Sequence, residues 1–235
     1  MSHLITLETL DQDGAIRETA EAAGATRADF LKHGGMAGAG FLAGGVLFNG
    51  LMSPAHAASL ISSKRKSKAN DVLILNYALT LEYLEAEFYK QAVAGGALTQ
   101  PEVKLFASVV AGHEATHVKT LKHVLGSHAV KKPKFDFGNT VKDQNLFKQT
   151  SQVLEDTGVK AYSGQATHIF QPAVVKAAVS IVTIEARHAA WIRYINSSGG
   201  LRVGGNALPA PHAFDTALSE KQVLAAVKKT KFIKK

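Results

Sequence analysis

The sequence predicts an all-α fold, a four-helix bundle with a long crossover between its second and third helices. Two observations carry this. From Asn70 onward the apolar residues recur at helical spacing with no sustained strand alternation, and the four helical segments are separated by two short connections and one long one. Composition sets the limits. With 235 residues, 46% of them apolar and 20% charged, the chain can bury one sizeable core. It has no cysteine, which removes disulfide scaffolds, thiol chemistry and cysteine-based metal sites. Any metal must be held by His, Asp or Glu.

The first helix, roughly 70 to 94, carries Leu75, Leu79, Glu82, Ala86, Tyr89 and Val93 on one stripe and ends at Gly95-Gly96. The second opens with Thr99-x-x-Glu102, which reads as a capping box with Pro101 in the first turn. Its stripe of Val103, Phe106, Val110, Glu114, His117, Leu121 and Val124 runs to Gly126. The third, about 140 to 164, starts near Thr140 and holds Phe147, Leu154, Glu155 and Tyr162. The fourth begins at Pro172 and shows Val174, Ala178, Ile181, Glu185, His188, Ile192 and Ile195 before Gly199-Gly200. Each stripe is interrupted by Glu, or by Glu and His, near its middle.

The connections choose the topology. Helices one and two are joined by a few residues, as are three and four, so each pair is antiparallel. The segment SHAVKKPKFDFG, 127 to 138, is extended in character. About 13 extended residues reach roughly 43 Å, and a helix of about 26 residues is roughly 39 Å long. The connector can therefore travel the whole bundle, which fits a single-crossover arrangement and not up-down-up-down.

The inward polar residues form a set: Glu82, Glu114-x-x-His117, Glu155 and Glu185-x-x-His188. One Glu from each of two helices and one Glu-x-x-His from each of the others is the di-metal carboxylate pattern. Residues three apart on a helix aim at one point. Four buried, unpaired carboxylates would cost several kcal/mol each, roughly, whereas two divalent cations neutralise them. An internal repeat supports the choice: Glu82 to Glu114 is 32 residues and Glu155 to Glu185 is 30, with halves offset by 73 and 71. L-E-x6-Y occurs in both single-Glu helices, which selects Glu82 over Glu85 and Glu87, and Glu155 over Asp156. Tyr89 and Tyr162 either hydrogen-bond the set or sit as ordinary core tyrosines.

The stretches LNYALTLEYLEAEFY, HEATHVKTL, LEDTGVKAYSG and SIVTIEARHAAWIR resemble the four helix motifs of the ferritin-like proteins, and within them an exported, stress- and desiccation-related branch. FDTALSEKQVLAAV resembles that branch's C-terminal segment, so the likeness covers about residues 70 to 230. It implies a ferritin-like four-helix bundle and a buried site for two Fe ions, or alternatively two Mn ions, held by Glu82, Glu114, His117, Glu155, Glu185 and His188. Reactions across such sites include iron oxidation, peroxide disproportionation and oxygen activation. The implied role is stress protection, either as a ferroxidase- or catalase-like oxidoreductase or as a non-catalytic metal-binding protein. No segment reads as a clear equivalent of the short fifth helix of cage ferritins, which argues against a hollow shell.

A rival is H-E-x-x-H, His113 to His117, the zinc-peptidase helix. It leaves Glu185-x-x-His188 and both L-E-x6-Y pairs unexplained, and His113 then reads as a residue next to the site, either solvated or touching a ligand from outside. His123, His128 and His168 read as surface or packing residues. Glu85 and Asp156 stand as alternative ligands.

Residues 1–57 read as an N-terminal extension and export signal. Arg27 and Lys32 precede an apolar stretch from about Met36 to Met52 and an Ala55-His56-Ala57 cleavage pattern. TRADFLK is twin-arginine-like, with Ala28 where the second arginine usually stands. Seven glycines between Gly34 and Gly50 argue against a membrane-spanning helix. Cleavage after Ala57 removes 3 of the 27 Lys and Arg and 6 of the 19 Asp and Glu, raising the net charge from +8 to +11. Residues 58–69 read as a basic linker, 70–200 as the bundle and 201–235 as an extension with a basic tail. The expected setting is the periplasm, cell envelope or extracellular space. The expected partners are metal ions, O2 or peroxide, a second copy of the chain in a homo-oligomer and an anionic envelope surface, with no specific nucleic acid.

Overall fold

The computed structural model describes residues 61–62, 66–197 and 208–234. The expected export signal and cleavage pattern lie outside them. Four long helices form the body: α1 Lys68–Ala94, α2 Pro101–Leu125, α3 Gln144–Gln165 and α4 Pro172–Asn196. α1 packs along α2 and α3 along α4, and the two pairs meet through α1 with α3 and α2 with α4. None of the described helices is long and apolar enough to cross a membrane.

The crossover runs beside α1 from its start to its end. Near the start, the Asn76 side chain donates to His128 O at 2.9 Å and accepts from Val130 N–H at 2.8 Å. Further along, Tyr83 Oη donates to Val130 O at 3.3 Å, Lys132 pairs with Glu87, and Phe88 meets Phe137 edge-on with ring centroids 5.4 Å apart. Asn76 is fully buried, so its amide satisfies two crossover backbone groups that burial would otherwise strand. α3 therefore starts at the end of the bundle where α1 finishes, parallel to α2. Asp71, in the first turn of α1, accepts from Phe170 and Gln171 N–H at the entrance to α4, which closes the opposite end.

Two helix starts differ from the expected ones. α2 has no Thr99 capping box: its N-cap is Gln100, because Pro101 takes the first helical position, where its fixed φ and missing N–H fit. The Gln144 side chain at the head of α3 accepts from Thr99 and Gln100 N–H instead, tying the two helices together. α3 begins at Gln144 and not near Thr140. Residues Gly138–Val141 form a 3-10 turn, and Asp143 caps the helix by accepting from Leu146 N–H at 2.9 Å. Val93, placed on the inner stripe of α1, is exposed.

The C-terminal extension docks on the bundle. α5, Glu220–Thr230, opens with a Ser219/Gln222 capping box and buries Val223 and Val227, with contacts to α3. It is a fifth helix that the sequence reading did not identify. Beyond it, β2 (Ile233–Lys234) pairs antiparallel with β1 (Lys134–Phe135) of the crossover, and Phe232 packs on Phe137 with centroids 5.1 Å apart. Gly164 permits this docking, since a Cβ there would lie 1.8 Å from Leu218 O.

Candidate metal centre

Glu82, Glu114, Glu155 and Glu185 are fully buried midway along α1, α2, α3 and α4, and His117 and His188 are nearly so. Their donor atoms form two groups, each with all atoms within 4.8 Å of one another. One comprises Glu82, Glu114, His117 and Glu185, the other Glu114, Glu155, Glu185 and His188. Glu114 and Glu185 belong to both. The arrangement follows from the helix period: three residues after its glutamate, each histidine lies on the same face one turn on and turns Nδ1 into the interior.

The distances show how well these donors suit one another. His117 Nδ1 stands 3.2 Å from Glu82 Oε2, from Glu114 Oε2 and from Glu185 Oε1. His188 Nδ1 stands 3.2 Å from Glu114 Oε1 and from Glu155 Oε2. One N–H cannot donate well to three oxygens: Glu114 Oε1 and Glu185 Oε1 lie within 3.2 Å of an imidazole Nδ1 but accept no well-aligned hydrogen bond, and Glu185 Oε2 is buried with no partner at all. Donor atoms roughly 2.1 Å from a shared ion and at right angles to one another lie about 3 Å apart. The orphaned oxygens and the hard O/N donor set therefore fit a pair of cations better than they fit one another.

Electrostatics say the same. Burial, followed by the nearby Glu82 charge, pushes the Glu114 carboxyl well above its ordinary range, and burial followed by Glu114 does so for Glu185. Burial also raises Glu82, but hydrogen bonding and charge from His117, with contacts from Glu114 and Tyr162, outweigh it and hold Glu82 low. For His117 burial opposes the charge, yet Glu114, Glu185 and Glu82 raise it above its usual value.

The tyrosines of the L-E-x6-Y repeat pair across the bundle. Tyr162 Oη on α3 donates to Glu82 Oε1 on α1 at 2.5 Å, and Tyr89 on α1 donates to Glu155 on α3. Of their two readings, the structure selects the one in which they orient carboxylates. His113 lies in neither donor group. Its Nδ1 faces His188 Nε2 at 2.8 Å and the rings stack, which fixes the far side of that imidazole. His123, His128 and His168 stand outside both groups.

Asp156 is drawn away to Arg193. Glu85 is outside both groups but buried beside them, and burial followed by the charges of Glu185 and Glu155 pushes its carboxyl well up. Gly158 of α3, which sequence reading did not single out, makes room here. A Cβ at that position would stand 3.0 Å from Glu185 Oε2 and 3.5 Å from Glu85 Oε1. Its mid-helix place between Glu155 and Tyr162 was the available signal, because glycine weakens a helix interior without some packing reason.

Comparison with models of protein families matches residues 70–198 to the ferritin-like domain. No curated protein matches the chain.

Proposed function

The chain belongs to the ferritin-like domain family, and we propose that it is a di-metal protein in which Glu82, Glu114, His117, Glu155, Glu185 and His188 hold two iron ions or, as second choice, two manganese ions. The observation that carries this reading is the sharing of Glu114 and Glu185 between two four-residue donor groups whose carboxylate oxygens are otherwise partly unpaired. Two bound iron or manganese ions, each changing by one electron, would supply two-electron chemistry toward O2 or peroxide, with Fe(II) as the electron donor where iron is oxidised. The chain's own residues set the conditions for it. The carboxylates and imidazoles fix geometry, Tyr89 and Tyr162 orient Glu155 and Glu82, and the apolar layers on either side exclude bulk water. Protection against oxidative or metal stress in the cell envelope is the physiological role this chemistry suits, with the export-signal-like N-terminus in support.

The zinc-hydrolase alternative is disfavoured because His113 points to His188 and not into either donor group. Consumption of O2 with excess Fe(II) as electron donor, or of hydrogen peroxide alone, by protein reconstituted with Fe(II), followed electrochemically, tests the redox role. The expected result is multiple turnovers by the wild type and none by Glu185→Ala. Retention of about two metals per chain with no turnover of either oxidant would favour the non-catalytic metal-binding protein.

A further inference from the structure

Lysines far apart in the sequence meet at the end of the bundle where α1 finishes. The crossover carries Lys131, Lys132 and Lys134 at or just before β1, and the last turn of α5 with β2 carries Lys228, Lys229, Lys231 and Lys234, all of them exposed. Pairing of β1 with β2 sets Lys134 directly opposite Lys234 and Phe135 directly opposite Ile233. Opposite residues of an antiparallel pair share a face, so Phe135 and Ile233 pack against the core while both lysines turn to solvent side by side. Glu87 takes Lys132, and Asp136 stands 3.3 Å from Lys234. No carboxylate of the described residues forms an ion pair with Lys131, Lys134, Lys228, Lys229 or Lys231.

Like charges directly opposite one another destabilise a strand pair. Lysine at a sheet edge ordinarily guards against the addition of a further strand, but a ribbon two residues long is blunted by its length alone. The fold therefore gathers positive charge where neither pairing nor edge protection calls for it. The patch lacks the parts that read a nucleic acid: Phe135, Phe137 and Phe232 are partly or fully buried against one another and the core, which leaves no ring free to stack a base. No arginine stands in either segment to grip a single phosphate with two N–H groups. Clustered lysines acting as point charges suit a surface on which many phosphates are spread, and they need no fixed geometry there. We propose that this lysine-faced ribbon docks the protein on a lipid bilayer bearing anionic phospholipids, with the end of the bundle where α1 finishes toward the lipid. Residues 1–57, read as an export signal, would bring the chain to such a surface. The proposal does not rest on the metal centre.

Sedimentation of the full chain with vesicles tests it, using phosphatidylcholine alone and phosphatidylcholine mixed with phosphatidylglycerol. The expected result is binding to the mixed vesicles only, lost at about 0.5 M salt, where surface charges are screened. A lysine near an anionic surface contributes roughly fivefold in affinity, so Lys134→Gln, Lys229→Gln and Lys231→Gln combined should weaken binding about 100-fold. Changing the same three to Arg keeps the charge and should keep the affinity to within about twofold, which separates loss of charge from loss of fold. Lys119, Lys122 and Lys176 are exposed at the opposite end of the bundle. Replacing these three by Gln removes as much charge and should cost less than about fivefold. Equal losses from the two glutamine triples, undiminished binding by the ribbon triple, or failure of the arginine triple to bind overturns the proposal. Retention on immobilised single-stranded DNA with no sedimentation on mixed vesicles overturns it in favour of a nucleic acid.

Discussion

Glu114→Gln is expected to weaken both metal positions at once, dropping bound metal from about two ions per chain to well under one, whereas Glu82→Gln leaves about one. The difference follows from membership of the donor groups. Glu114 contributes to both, and Glu82 only to the group containing His117. Glutamine keeps the volume and removes the charge, so the core has no cavity to collapse into. Tyr162→Phe serves as the calibration: it strips one hydrogen bond from Glu82 and leaves every donor atom in place, so affinity should fall by about 10–100-fold, the range for outer partners of a metal ligand. Metal analysis after dialysis against a weak chelator reads all three. Equal loss from Glu82→Gln and Glu114→Gln would mean that the two groups do not act as two positions sharing a carboxylate.

Stripping the metal should give a protein that loses stability as pH rises. Glu85, Glu114 and Glu185 have folded-state pKa values above the ordinary 4.5, so the folded protein binds more protons than the unfolded chain as pH climbs past that value. Their contribution is intact below about 4.5 and is lost as pH rises toward the folded values. His117 acts in the same direction above its ordinary 6.5, because its carboxylate neighbours hold the proton in the folded state only. Glu82 opposes, since its lowered value confers stability that is lost as pH falls. Three carboxyls and one imidazole outweigh one carboxylate. Melting temperature of the metal-free protein should therefore be higher at pH 5 than at pH 8. Metal loading should reverse the order, because cations compete with these protons and bind more tightly as pH rises. Metal-free protein more stable at pH 8 than at pH 5 would contradict the account.

The donor set was legible because helices convert spacing into direction. Glu-x-x-His on two apolar stripes, with the L-E-x6-Y repeat on the other two, leaves few ways for the polar residues to meet. The length of 127 to 138 likewise disclosed the crossover. What escaped was decided by contacts distant in sequence. Gln144 takes the Thr99 and Gln100 N–H groups where a Thr99 capping box was expected, and no local pattern connects positions 45 residues apart. The docking of α5 depends on Gly164 leaving room for Leu218 O, and Phe232 and Ile233 anchor a stretch whose lysines dominate its composition. Even there, Ser219-x-x-Gln222 is a capping-box signature that the sequence carried in plain view.

The metal-to-chain ratio of protein purified from its own compartment, by elemental analysis, bears most directly on the six converging side chains. The expected value is close to two, iron or manganese, falling below one in Glu114→Gln. Preparations holding no iron or manganese, before and after exposure to either ion, would contradict it.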